Sequence, residues 1–127
     1  MTRADQERIA QAIRAAEEGT SGRIAVRVIP DKTVEAFERG KREFAAIGLH
    51  RHAHANAALV LVAPNARRFA VLGDRELHRR TGDAFWKDVV AGSSPYFERG
   101  ETVEGIAYAV GRIGEALRAY FGAHAAS

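Results

Sequence analysis

A three-layer α/β/α sandwich around a short mixed sheet is the fold this sequence predicts, and three observations carry the prediction. Residues Ala57 to Ala63 are apolar at every position, the pattern of a central strand covered on both faces. After Pro64, Asn65 and Ala66 the chain returns over Arg68 to Leu72, and so short a connection makes the two strands antiparallel neighbours. Upstream, a strand, a helix and the central strand follow one another as a βαβ unit. Such a unit pairs its strands in parallel and crosses over right-handed.

The elements follow in the order αβαββαα. Residues 4 to 18 form a first helix, with Ile9, Ala12, Ile13 and Ala16 at helical spacing and capping chemistry in Thr2 and Asp5. Gly19 stops it, and Thr20, Ser21 and Gly22 make the turn. Ile24 to Ile29 is a β-branched strand ended by Pro30. Arg23 and Arg27 are its polar interruptions, which put it near an edge or solvate one end. Asp31 or Thr33 caps a second helix that runs to about Ile47. Its expected stripe is Val34, Phe37, Phe44, Ala45 and Ile47, with the Lys41 stem lying along it.

Gly48 closes that helix, and Leu49 to Ala55 is a connector carrying His50, His52 and His54. After the hairpin, Gly73 marks the exit, and Arg75 to Arg80 is a short helical turn or loop. Asp83 stands at an N-cap position before Ala84, Phe85, Trp86, Val89 and Val90. Gly92, Ser93, Ser94 and Pro95 are expected to break this helix. The last helix spans about Thr102 to Tyr120, on the stripe Val103, Ile106, Val110, Ile113 and Leu117. Gly105, Gly111 and Gly114 weaken it alone but allow it to lie close on the sheet. Phe121 to Ser127 reads as a fraying tail.

Composition excludes several classes. The 127 residues read as one domain over 1–127, with 46% hydrophobic and 28% charged residues and no low-complexity tract. Cysteine is absent, which removes disulfides, thiol catalysis and thiolate metal sites. Lys and Arg number 19 against 16 Asp and Glu, so 19 − 16 = +3, too small and too dispersed to make nucleic acid an expected partner. The N-terminus lacks the apolar segment of a secretory signal. Ala57 to Pro64, the longest apolar run, is far short of the roughly 20 residues that span a bilayer. The chain as it stands reads as soluble and cytoplasmic. P-loop, dinucleotide-binding, nucleophile-elbow and zincin motifs are absent, and Ser21, Ser93 and Ser94 have no evident paired base.

The topology sorts the polar residues by sheet end. Antiparallel pairing sets the start of the central strand beside the end of the next, so the histidine connector and Asn56 share an edge with Gly73 and Asp74. Asp83 is within reach, and the Thr20–Ser21–Gly22 turn joins them. Pro30, Asp31, Asn65, Arg67 and Arg68 go to the far end. His52, His54, Asn56, Asp74 and Asp83 are therefore the candidate metal ligands. Their oxygens suit calcium or magnesium, and the imidazoles suit zinc or nickel. Against this stand plainer roles: a helix cap for Asp83, a turn aspartate for Asp74, and solvent-exposed histidines. No organic cofactor is indicated. Arg67 and Arg68 read as a solvated basic turn before they read as an anion site, and Phe85 and Trp86 read as core.

The run E-x-x-T-S-G-R-I-A-V-R-V from Glu17, then R-F-A-V-L-G-D from Arg68, G-D-A-F-W from Gly82 and Y-F-E-R-G-E-T-V-E-G-I from Tyr96, resembles the TPM domain, the thylakoid-acid-phosphatase-like family. The likeness covers Ile9 to about Phe121. It is nearest to a short bacterial branch in which L-H-R-x-x-x-x-N precedes the central strand, here Leu49, His50, Arg51 and Asn56. The resemblance implies a three-layer α/β/α fold and, in some members, a divalent-cation site. It also implies acid phosphatase activity in plant relatives, and assembly, repair or receptor-accessory roles at membranes in others. Asn56 matches the asparagine of the relatives' Asp-Asn-Gly, Gly73 and Asp74 match their strand exit, and Asp83 matches the aspartate opening the next helix. Ala55 and Ala57 replace the flanking aspartate and glycine, which thins the oxygen set unless His52 or His54 substitutes. The signal sequence and membrane anchor of many relatives are not seen in this sequence.

Two functions follow as expectations. The first is a non-enzymatic interaction domain with a protein partner, membrane-associated in some relatives, and with or without a cation. The second is a metal-dependent phosphatase of phosphate esters, in which Asp74 and Asp83 hold the cation and Arg51, Arg75 or Arg79 neutralises phosphate.

Overall fold

A computed structural model describes residues 1–122. Helix α1 (Arg3–Glu17) leads into strand β1 (Arg23–Val28), helix α2 (Ala36–Ala46), strand β2 (Ala57–Ala63) and strand β3 (Arg68–Gly73). Helices α3 (Arg75–Thr81), α4 (Asp83–Glu98) and α5 (Thr102–Phe121) complete the order. The sheet runs β1-β2-β3, with β1 parallel and β3 antiparallel to β2. No helix among the described residues is long and apolar enough to cross a membrane.

The unbroken apolar run of β2 is explained by its place. Alternate residues Ala58, Val60 and Val62 enter a core against α1, α4 and α5, while Ala57, Leu59, Leu61 and Ala63 enter a second core against α2. All seven are buried. β1 lies at an edge, as its two arginines predict, and both are exposed. At the start of α1 the expected capping chemistry is a full capping box: the Thr2 hydroxyl accepts from the Asp5 amide, and the Asp5 carboxylate accepts from the Thr2 amide.

Four local expectations are corrected, and the expected order αβαββαα gains one helix, because Arg75 to Arg80, expected as a short helical turn or loop, forms α3. Neither Asp31 nor Thr33 caps α2, which starts after Glu35 without a side-chain cap; Asp31 instead pairs with Arg39 at 3.0 Å. The buried face of α2 is Ala36, Gly40 and part of Phe44, because Gly40 lets the helix approach Leu72, within reach of where a Cβ would stand. Phe37, Ala45 and Ile47 are consequently turned outward. Second, α4 does not break at Pro95. The Ser93 and Ser94 hydroxyls bond back to the Val89 and Val90 carbonyls at 2.7 and 2.8 Å, and packing continues past the proline, where Phe97 meets Phe69 with ring centroids 4.4 Å apart.

Third, the α4 cap residue is Gly82, at φ 77°, and Asp83 is the first helical residue without a capping bond. Fourth, the glycines of α5 serve helix contacts and not the sheet: Gly114 abuts Ala16 of α1 and Gly105 abuts the Phe97 ring of α4, while Gly111 faces open space. Phe121 ends α5 and Gly122 bridges to Thr20, so only residues 123–127 of the expected tail lie outside the described residues.

Candidate functional site

The polar end of the sheet is assembled by the β2–β3 register. Ala58 lies opposite Gly73, and one step further the Asp74 amide donates to the Ala57 carbonyl at 2.9 Å. That bond fixes Asp74 beside the residue that follows Asn56. The parallel partner adds the turn before β1: Asn56 Nδ2 donates to Ser21 Oγ at 3.0 Å, and His52 Nε2 lies 2.8 Å from the Ser21 carbonyl. The connector makes this possible with two tight turns, in which His54 and Ala55 adopt φ of 70° and 50°. Left-handed backbone is tolerable for histidine but uncommon for alanine. It reverses the chain just before Asn56 and sends that side chain inward.

Asn56 is fully buried. Two oxygens here have no partner, Asn56 Oδ1 and Asp74 Oδ2, and they are the buried side-chain polar atoms left unpaired among the described residues. Leaving a buried acceptor unsatisfied costs about 1–3 kcal/mol, a cost that an ordered water or a bound ligand at each oxygen would relieve. Asp74 Oδ1 is already engaged by the Arg75 amide at 2.7 Å, where Asp74 is the N-cap residue of α3.

The other candidates go elsewhere. Asp83 faces solvent and pairs with His78, Nε2 to Oδ1 at 2.5 Å. That bond and the imidazole's charge hold the Asp83 carboxyl below the usual carboxylate range. His54 and His50 are exposed, and His52 is taken by Ser21. Among the described residues, no three His, Asp or Glu side chains converge as a metal-holding group. His78 is the residue that sequence reasoning missed. Its signal was the spacing Asp74–x3–His78, which puts both on one face of a helix a turn apart.

Asp74 and His78 also border a cavity of about 330 Å³ walled by Phe37 and Phe44 of α2 and Trp86 of α4. Trp86 is fixed by its Nε1 donating to Thr81 Oγ1 at 2.9 Å and by edge-on contact with Phe85. Of the arginines expected at this end, Arg51 and Arg75 are exposed. Arg79 is clamped by Glu76 through two bonds of 2.9 and 2.8 Å, and Arg67 and Arg68 belong to the far end, where Asn65 bonds to the Pro30 carbonyl.

Residues 1–116 match the model of the TPM domain family. The fold is shared with BA42 protein from the psychrophilic bacterium Bizionia argentinensis, at a TM-score of 0.87 and 27% identity over 96% of this chain and 84% of that one. The N-terminal domain of a P. gingivalis protein matches at a TM-score of 0.76 and 17% identity, over 95% of this chain and 78% of that one. The N-terminal domain of the cg2496 protein of Corynebacterium glutamicum matches at 0.73 and 14%, over 97% and 78%. No curated protein sequence matches the chain.

Proposed function

The chain belongs to the TPM domain family, and on that premise we propose that it is a non-enzymatic binding domain that holds a divalent cation and engages a protein partner, one associated with a membrane in the manner of some relatives. The observation that carries this reading is the pair of buried, unpartnered oxygens, Asn56 Oδ1 and Asp74 Oδ2. Amide and carboxylate oxygens are the donor types that calcium and magnesium take. Calcium takes six to eight oxygens, so water or a partner's oxygens would supply the rest. The imidazole of His52 is already bonded to Ser21, which favours calcium or magnesium over zinc.

A calcium titration of the isotopically labelled protein, followed by amide NMR, tests the reading. Shifts centred on Asn56 and Asp74 are expected, lost in Asn56→Ala and Asp74→Asn. Saturation at a hundredfold excess over Kd should stabilise the fold by about 2.7 kcal/mol. Absence of any response at about 10 mM calcium or magnesium, well above the weakest natural calcium sites, would refute it.

A second reading, metal-assisted hydrolysis of phosphate esters, draws on the His78–Asp83 pair beside the same cavity. Arg79 is clamped by Glu76, which leaves Arg51 and Arg75, both exposed, to neutralise phosphate. Cation-dependent hydrolysis of p-nitrophenyl phosphate, abolished by Asp74→Asn, would favour it over the first.

A further inference from the structure

Among the described residues, β3 pairs with no strand on its outer side. In a β-strand the N–H and C=O of one residue point the same way, and successive residues alternate. The Asp74 amide bonds to the Ala57 carbonyl, and the Ile29 amide to the Val62 carbonyl, both at 2.9 Å. Ala57, Leu59 and Leu61 therefore face β3, and Ala58, Val60 and Val62 face β1. Opposite them, Arg68, Ala70 and Leu72 bond inward. Phe69, Val71 and Gly73 are left pointing their backbone groups outward, and among the described residues they have no backbone partner on that side.

The cavity of about 330 Å³ lies on this edge, with Val71 and Gly73 on its floor. α2 raises Phe37, Lys41 and Phe44 on one side, and α4 raises Trp86 on the other. Phe37 is 50% exposed and Val90, one turn on from Trp86, is 39% exposed. An unpaired strand edge between apolar walls is an association site unless something covers it.

We propose that this groove is a strand-addition site, in which an extended peptide segment of a partner protein lies along β3 as a fourth strand. The backbone selects the occupant: outward N–H and C=O groups at alternate positions are matched by a strand and by neither a helix nor a compact ligand. An apolar side chain of the peptide seats between Phe37 and Trp86. An acidic one meets Lys41, whose present partner Glu38, at 3.1 Å, is an exposed pair and easily exchanged. A second copy of the chain would bring its own α2 and α4 against these walls, whereas a lone strand passes between them. The proposal rests on reading the chain as a binding domain, and it is independent of the cation.

Linear peptides selected from a random display library on the immobilised intact chain provide the probe, used with calcium and with chelator. A selected peptide should shift the Phe69, Val71 and Gly73 amides most. Backbone N-methylation at every second peptide residue should abolish binding in one phase and spare it in the other. Phe37→Ser should weaken binding at least tenfold, which is about 1.4 kcal/mol, without lowering the melting temperature. Failure to select any peptide, shifts centred elsewhere, indifference to the phase of N-methylation, or a β3-to-β3 dimer of the chain itself would each overturn the proposal. If peptides fail while calcium still perturbs Asn56 and Asp74, strand addition falls and the cation reading stands.

Discussion

Two glycines three residues apart on α5 offer a controlled test of how the helical layer is held together. A Cβ at Gly114 would stand 2.6 Å from Ala16 Cβ, 2.8 Å from Ala16 Cα and 3.1 Å from the Ala16 carbonyl oxygen. Backbone atoms cannot rotate aside, so Gly114→Ala forces α1 and α5 apart by about 1 Å to restore carbon contacts near 3.5–4.0 Å. Overpacking of that kind costs about 1–3 kcal/mol. Gly111 is exposed, and a Cβ there meets nothing within 4 Å. Both changes gain the same helix-propensity term, about 0.8–1.0 kcal/mol. Gly111→Ala should therefore stabilise by about 1 kcal/mol, and Gly114→Ala should fall below it by about 1–3 kcal/mol. The propensity term cancels in the difference, which isolates packing. Urea unfolding monitored by circular dichroism measures both, and the m-value must stay constant for the comparison to hold. Equal stability of the two variants would refute the close approach of α1 and α5.

Three further outcomes are expected. Gly73→Ala should destabilise by about 1–3 kcal/mol, because its methyl would overlap the Trp86 ring; tryptophan fluorescence reports the displacement, and adding Trp86→Phe should recover part of the loss. Asp83, with a carboxyl depressed by His78, contributes stability that is present above the unfolded value near 3.9 and is lost as pH falls through the lower folded value. A carboxyl NMR titration measures that shift, and Asp83→Asn should flatten the acid limb of the stability profile; an unshifted Asp83 would contradict the pairing. Ala55→Asp should tighten calcium about tenfold in the NMR titration, since it adds a carboxylate beside Asn56 at a φ of 50° that aspartate tolerates better than alanine; unchanged affinity would separate Asn56 from the cation.

The sequence alone places the polar residues at one end of the sheet. An unbroken apolar run and a β-branched run located β2 and β1, helical spacing located α5, and the short Pro64–Ala66 connection made β2 and β3 antiparallel. That alone brings Asn56 to Asp74. The roles of the aspartates were not legible. An aspartate before a helix looks the same whether it caps that helix, as Asp74 does, or turns outward to a histidine, as Asp83 does. The difference lies in His78, whose ring is placed by the packing of α3 against α4.

By itself the sequence determined the order of elements apart from α3, the burial of β2 and the end of the sheet at which polar groups collect, because each follows from local periodicity and chain connectivity. Tertiary structure alone decided which face of α2 is buried, since Gly40 and Leu72 must find each other across 32 residues. It decided that α4 survives Pro95, because contacts on either side of the proline outweigh one missing hydrogen bond. It also decided that, among the described residues, Asn56 and Asp74 each keep an unpartnered oxygen and that β3 has no strand on its outer side. Absent partners leave no mark on sequence periodicity and appear only when every neighbour has been placed.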